Sequence, residues 1–209
     1  MQMTCWKHWV TSDQIMKIAL TGHLSGLGEC LYQMLSDAGH EVIGFDIQEG
    51  YDINSKDARS NILDESKDCD VFINNAYGAP GQFELLRLLV ESNYHHIILN
   101  VGTNITNCSQ ELLDNDADWQ QQHQSFRSEY PVQKKLQDDY IRAKRQQHKG
   151  QSILLTTKPG WLNTSLVNNV PSSRCVDLKY VCKAMIFQIE MATQSVWIPD
   201  ITVLPLLSR

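Results

Sequence analysis

Short apolar runs and helix-spaced apolar stripes alternate along nearly the whole chain. Residues 18–21 (IALT) are a compact apolar run of strand type. Leu24, Leu27, Leu31, Met34 and Leu35 follow at helical spacing, and Gly39 stands where a helix stop belongs. Residues 41–46 (EVIGFD) give a second strand, and Asn54 or Ser55 caps a polar helix running to about residue 66. Residues 69–74 (CDVFIN) read as a buried strand, closed by the turn cluster YGAPG at 77–81. In the helix at 83–91, Phe83, Leu85, Leu86, Leu88, Leu89 and Val90 make a stripe too wide for a single covering neighbour. Residues 95–101 are a further strand, and 104–129 are polar and irregular. Residues 131–148 form a charged helix with one apolar stripe, Val132, Leu136 and Tyr140. A strand at 152–157, an apolar helix at 178–191 and a strand at 196–203, interrupted by Pro199, complete the pattern.

Parallel strands need a crossover between them, so strands separated by helices imply a parallel sheet covered on both faces. Right-handed crossovers then give a doubly wound, Rossmann-like α/β sheet, here of about six to seven strands. Between Asp46 and Asp52 there is no room for a crossover helix, so one helix is expected to be missing after the second strand. Ligands of such sheets bind at the carboxyl ends of the strands. Those ends are Gly22, Asp46, Asn74, residues 101–103 and Pro159-Gly160, a set rich in small and polar side chains.

With 209 residues, the chain reads as one domain over 17–209 and a short N-terminal extension over 1–16. Hydrophobic residues at 42% and charged residues at 20% exclude a disordered chain, a collagen and a disulfide scaffold. The net charge of -6 lacks the basic excess of a non-specific nucleic-acid binder. The 6 cysteines form no CxxC and no zinc spacing, so no metal is expected, and they read as buried thiols in a reducing, cytoplasmic setting. No apolar run approaches the roughly 20 residues of a membrane span.

Two segments carry candidate chemistry. The first is Thr21-Gly-His-Leu-Ser-Gly-Leu-Gly28, which follows the first strand and opens the first helix. Gly22 permits a tight turn, Gly26 lets backbone approach a pyrophosphate, and Ser25, Leu27 and Gly28 lead into a helix start with free amides. Asp46, which ends the second strand, can accept both hydroxyls of an adenosine ribose and would repel a 2′-phosphate. No Arg or Lys follows it directly, which favours NAD over NADP, with NADP as second candidate. The domain is thus read as NAD(P)-binding. The second segment holds two Tyr-xxx-Lys pairs, Tyr130 with Lys134 and Tyr140 with Lys144. At i and i+4 the two side chains share a helix face, and an ammonium there lowers a phenol's pKa. On helix chemistry alone, a solvated surface pair is the better reading of both.

In order along the chain stand the Gly-rich turn, Asn74-Asn75-Ala76, Asn100-Val-Gly-Thr103, a YxxxK and Pro159-Gly-Trp-Leu-Asn-Thr164. Together these resemble the short-chain dehydrogenase/reductase family from about residue 17 to residue 164. The family's order chooses between the tyrosines. Tyr130 lies 29 residues before Pro159, the usual family separation, and Tyr140 only 19. Tyr140, which continues the apolar stripe, reads as packing.

The resemblance implies an oxidoreductase that moves hydride between NAD(H) and an alcohol/carbonyl pair. Tyr130 is then the acid/base, Lys134 lowers its pKa and holds the nicotinamide ribose, and Thr103 bonds the substrate oxygen in place of serine. Asn74 and Ala76 line the cofactor cleft. Asp52 and Ile53 stand at the adenine, and Pro159, Gly160, Leu162 and Thr164 at the nicotinamide. The sequence departs from the family at the Thr103 for serine and at the helical asparagine, for which no candidate stands in place. A non-catalytic dinucleotide-binding regulator is the second reading. A sugar-nucleotide epimerase or dehydratase is the third, suggested by the spacing from Thr103 to Tyr130. Family members commonly pair through the helix at 83–91 and the YxxxK helix. The first is apolar enough for a homodimer. In the second, Lys135, Asp138, Asp139, Arg142 and Arg145 suggest a solvated outer face.

Overall fold

The computed structural model describes residues 15–109, 111, 115, 129–147, 152–164 and 170–205. The first half runs β1 (Lys17–Thr21), α1 (Gly26–Asp37), β2 (Glu41–Phe45), a 3-10 turn (Ile47–Glu49), α2 (Lys56–Ser66) and β3 (Val71–Asn74). It continues through α3 (Gly81–Ser92), β4 (Ile97–Val101) and a second 3-10 turn (Asn104–Asn107). The second half holds α4 (Tyr130–Gln147), β5 (Ile153–Pro159), α5 (Leu178–Thr193) and β6 (Asp200–Val203). The six strands form one sheet in the order β2-β1-β3-β4-β5-β6. All five pairings are parallel. This is the Rossmann-like α/β sheet the pattern implies. Between β2 and Asp52 the chain makes only the three-residue turn Ile47–Glu49, and α2 makes the crossover from β2 to β3, so a helix does follow the second strand.

Successive strand side chains point to opposite faces, and here both faces are covered, so the central strands are apolar without alternation. Ile18 and Leu20 of β1, Val71 and Ile73 of β3, and Leu99 of β4 join a core closed by Leu31 and Leu35 of α1 and Met185 and Ile189 of α5. Ala19, Phe72 and Ile98, one position along each strand, join the opposite core with Ile62 of α2, Leu85 and Leu89 of α3 and Ile141 of α4. Local caps fix the connections. The Ser55 hydroxyl accepts from Ala58 N at 3.3 Å at the start of α2, and Asp177 accepts from Lys179 N at 3.0 Å at the start of α5.

Helix α4 overturns its expected orientation. Val132 and Leu136 are 55% and 43% exposed, and the buried positions are Lys134, Gln137, Asp138 and Ile141. Arg145 also turns inward, donating to the carbonyls of Leu154 (3.0 Å) and Pro199 (2.6 Å) and pairing with Asp200 at 2.8 Å. The outer face is therefore less charged than its sequence implies. The reason is the surface that α4 covers. Asn100 of β4, Gln82 of α3 and Lys158 of β5 face it, so polar residues are the ones that gain partners by burial. The last strand begins only at Asp200, because Pro199 has no N–H for the ladder; its carbonyl accepts from Thr156 N at 2.8 Å. Most of 104–129, and residues 1–14, lie outside the described residues. Among the described residues no helix is long and apolar enough to cross a membrane.

Candidate active site

A cavity of about 630 Å³ follows the carboxyl ends of the strands. Gly22, Ser25, Gly26 and Leu27 form its wall at the start of α1. Gly22 (φ 73) and Gly26 (φ 55) both occupy the left-handed region that a side chain disfavours. Ser25, the N-cap of α1, makes no side-chain capping bond, so the helix start keeps backbone donors directed outward. Gly28 serves differently and is not on the wall. A Cβ there would stand 1.9 Å from the Gly22 carbonyl oxygen, so its hydrogen is what lets α1 pack against its own turn.

Asp46, 5% exposed, lies at the same end. Its two carboxylate oxygens accept from Gln48 N at 3.0 Å and Leu24 N at 3.2 Å, which fixes the group between the β2 end and the glycine turn. Asp52 and Ile53 line the neighbouring wall, where Asp52 accepts from Asn54 N at 2.9 Å. Ala76 lines the cavity, and Asn74 does not. The Asn74 amide is fully buried behind the wall, donating to Asn100 Oδ1 at 2.9 Å and the Gln82 carbonyl at 3.1 Å. Its neighbour Asn75 lines the wall and ties β3 to β1, donating from Nδ2 to the Thr21 carbonyl at 2.9 Å. Pro159, Gly160, Leu162 and Thr164 close the opposite side, and Thr164 reaches to 3.4 Å from where a Cβ on Gly26 would stand.

Thr103, Tyr130 and Lys134 come together at the other end of this cavity. Thr103 follows β4 in extended backbone and its hydroxyl hydrogen-bonds the Tyr130 phenol. Tyr130 starts α4, and Tyr77, from the turn after β3, packs edge-on against its ring at 4.8 Å. Burial pushes the Tyr130 phenol up to about 12, Thr103 opposes that, and Tyr77 adds to it. Lys134, one turn along, is 3% exposed and lies 5.5 Å from the Tyr77 ring centre and 5.6 Å from that of Tyr130. Its ammonium donates to Gln82 Oε1 at 2.7 Å and the Val101 carbonyl at 2.8 Å. Burial lowers its pKa to about 7 against a smaller opposing pull from the Asp138 charge. Tyr140 packs on Phe83 at 5.7 Å with Lys144 over its ring, and neither residue lines the cavity.

The site also contains residues that the motifs do not name. Gln82, fully buried in the first turn of α3, accepts from Lys134 and donates through Nε2 to the carbonyls of Asn74 (3.0 Å) and Val101 (3.3 Å). Gln137 accepts from Asn100 Nδ2 at 3.1 Å and donates to Gln82 Oε1 at 3.3 Å. The only sequence signal for Gln82 is its phase, since Gln82, Leu85, Leu86 and Leu89 share one buried helix face. Among the described residues the lining includes Asp46, Asp52 and one cation, Lys134. No cluster of His, Cys, Asp and Glu among them could hold a metal ion.

No protein-family model and no curated protein sequence matches the chain. Solved structures do match its fold. A serine dehydrogenase complexed with NADP+ superposes with a TM-score of 0.69 at 16% identity, over 93% of this chain and 96% of its own. The 3-alpha-hydroxysteroid dehydrogenase from Pseudomonas sp. B-0831, complexed with NADH, gives 0.62 at 19% identity over 90% and 94%. A short chain dehydrogenase/reductase family protein gives 0.66 at 16% identity over 90% and 95%. The chain thus has the fold of the short-chain dehydrogenase/reductase structures.

Proposed function

We propose that this chain is a nicotinamide-dependent oxidoreductase acting on an alcohol/carbonyl pair. The observation that carries the reading is one cavity with an uncapped glycine-turn helix start at one end and Thr103, Tyr130 and Lys134 at the other. The complexes of like-folded proteins with NADP+ and NADH support the cofactor class. So does the cradle itself, in which the glycines at 22 and 26 line the wall without side chains. NAD is the preferred form. Asp46 and Asp52 are the charged groups of the described lining at the β2 end, and a 2′-phosphate there would meet carboxylates.

The helix α1 amides and the glycine turn bind the pyrophosphate. Asp46 accepts the adenosine ribose hydroxyls, with Asp52 and Ile53 beside the adenine. Leu162, Thr164, Pro159 and Gly160 orient the carboxamide end, and Ala76 walls the cleft. The bound dinucleotide supplies or accepts the hydride. Tyr130 gives its phenolic proton to the substrate oxygen in reduction and takes it back in oxidation. Thr103 donates a hydrogen bond to the same oxygen, and Lys134 holds the ribose hydroxyls and stabilises the phenolate. Tyr130→Phe removes the phenolic hydroxyl, and with it both the exchangeable proton and the bond to Thr103. It should lower turnover of any accepted carbonyl by at least about a hundredfold while NADH binding changes little. Wild-type turnover in that variant contradicts the assignment.

A further inference from the structure

Behind the site lies an ion pair that the reaction as described does not use. Lys158 of β5 and Asp138 of α4 are 8% and 7% exposed, and Lys158 Nζ stands 2.6 Å from Asp138 Oδ2. The same carboxylate oxygen accepts from the Thr106 hydroxyl at 2.5 Å, and Lys158 also reaches Thr106 Oγ1 and Asn107 Oδ1 at 3.4 Å. Thr106 Oγ1 is in turn 3.0 Å from the Thr103 carbonyl. The pair therefore joins the three segments that bring chemistry to the cavity: the turn behind Thr103, the helix of Tyr130 and Lys134, and the strand end at Pro159-Gly160.

Asp138 is also one helical turn from Lys134, on the same buried face. Its charge reaches the Lys134 ammonium and favours protonation there. Yet the hydrogen bonds of Lys134 go to neutral acceptors, Gln82 and Val101, and Asp138 gives its near oxygen to Lys158. We propose that Lys158 is a positioning residue: it captures Asp138, so that Lys134 stays bonded to the uncharged Gln82 beside Tyr130 and does not close an ion pair along its own helix. The other charged or titratable groups near Lys134 are few. Tyr130 is on its own helix and Tyr77 on the β3–α3 turn, with Glu129 acting on Tyr77. On α3, Glu84, Arg87 and Glu91 pair with one another at the surface. None of these competes with Lys158 for Asp138.

This inference rests on the reading of Lys134 as the ammonium that serves Tyr130, but its test needs neither cofactor nor substrate. The 13Cε resonance of Lys134, assigned through Lys134→Arg, is titrated in the wild type and three variants. Lys158→Met frees the Asp138 charge and should move the Lys134 midpoint to higher pH. Asp138→Asn leaves Lys158 unpaired and should move it lower. The double variant removes both charges and should return it near the wild type, with no buried charge left alone to unfold it. Each unit of midpoint shift is a tenfold change in the amine's protonation ratio. A midpoint unchanged in all three, with lowered melting temperature alone, makes the pair purely structural and overturns the proposal. If Lys158→Met fails to fold, Asp138→Asn and the double variant still decide. Midpoints that shift in a protein without turnover keep the Lys158 role and end the oxidoreductase reading. Where turnover is measured, the pH profile of kcat should follow the same order of variants.

Discussion

An ammonium taken out of water titrates lower, and a phenol taken out of water titrates higher. Lys134, at about 7, and Tyr130, at about 12, are moved toward their neutral forms by the same burial. The stability consequence of each has a definite sign. Between about 7 and the ordinary amine value of 10.5, the unfolded chain holds a proton on Lys134 that the folded chain has released. Stability must then climb as pH rises through that window, by up to about 1.4 kcal/mol per pH unit. Tyr130 acts at the other edge: its contribution is complete below the ordinary 10.0 and is lost as pH rises toward about 12. Urea unfolding of the wild type against Lys134→Met, compared at about pH 7 and about pH 9, isolates the lysine. The wild type should gain on the variant with rising pH, and a constant difference would mean that Lys134 titrates near its ordinary value in the fold.

At the scale of elements, the start of α1 shows how closely the site depends on backbone packing. A Gly28→Ala side chain would meet the Gly22 carbonyl oxygen at 1.9 Å and its carbon at 2.7 Å, backbone that cannot swing aside, with the Asn75 amide nitrogen at 2.8 Å. The variant should lose roughly 1–3 kcal/mol by forcing helix and turn apart, read as a lower urea midpoint. An unchanged midpoint would show that α1 can withdraw from its turn without loss. The sequence made α1 legible because Leu27, Leu31 and Leu35 bury as their spacing requires. The same reasoning failed for α4, where Val132 and Leu136 are exposed and Lys134, Gln137 and Asp138 are buried. Periodicity reads an apolar interior, and α4 covers a polar one. Asn74 failed similarly: the motif marks the segment, and the fold turns Asn75 and Ala76, not Asn74, to the cavity. Gln82 carried only the phase of its helix face and Lys158 no signal, because their partners are brought to them from other elements.

Over the whole molecule, parallel pairing follows from the alternation of strand and helix, and the six-stranded parallel sheet sets every motif at one edge of the layer. Glycine turn, Asp46, Asn75-Ala76, Thr103 and Gly160 lie far apart in sequence and line one cavity because each follows a strand of that sheet. The short link from β2 to Asp52 was visible as missing length, and its effect is local, a 3-10 turn beside the cavity. Choosing Tyr130 over Tyr140 needed the family's spacing, since both pairs sit on one helix with the same chemistry. Lining the cavity separates them in space, because Tyr130 and Lys134 line it and Tyr140 and Lys144 do not. What distinguishes the two tyrosines is therefore where a dinucleotide lies, and a crystal structure of the protein grown with NAD would locate it. The adenosine should lie against Asp46, the pyrophosphate at Gly22 and Gly26, and the nicotinamide ribose within hydrogen-bond reach of Lys134. A dinucleotide bound beside Lys144, or a cavity that stays empty at saturating NAD, would contradict this placement.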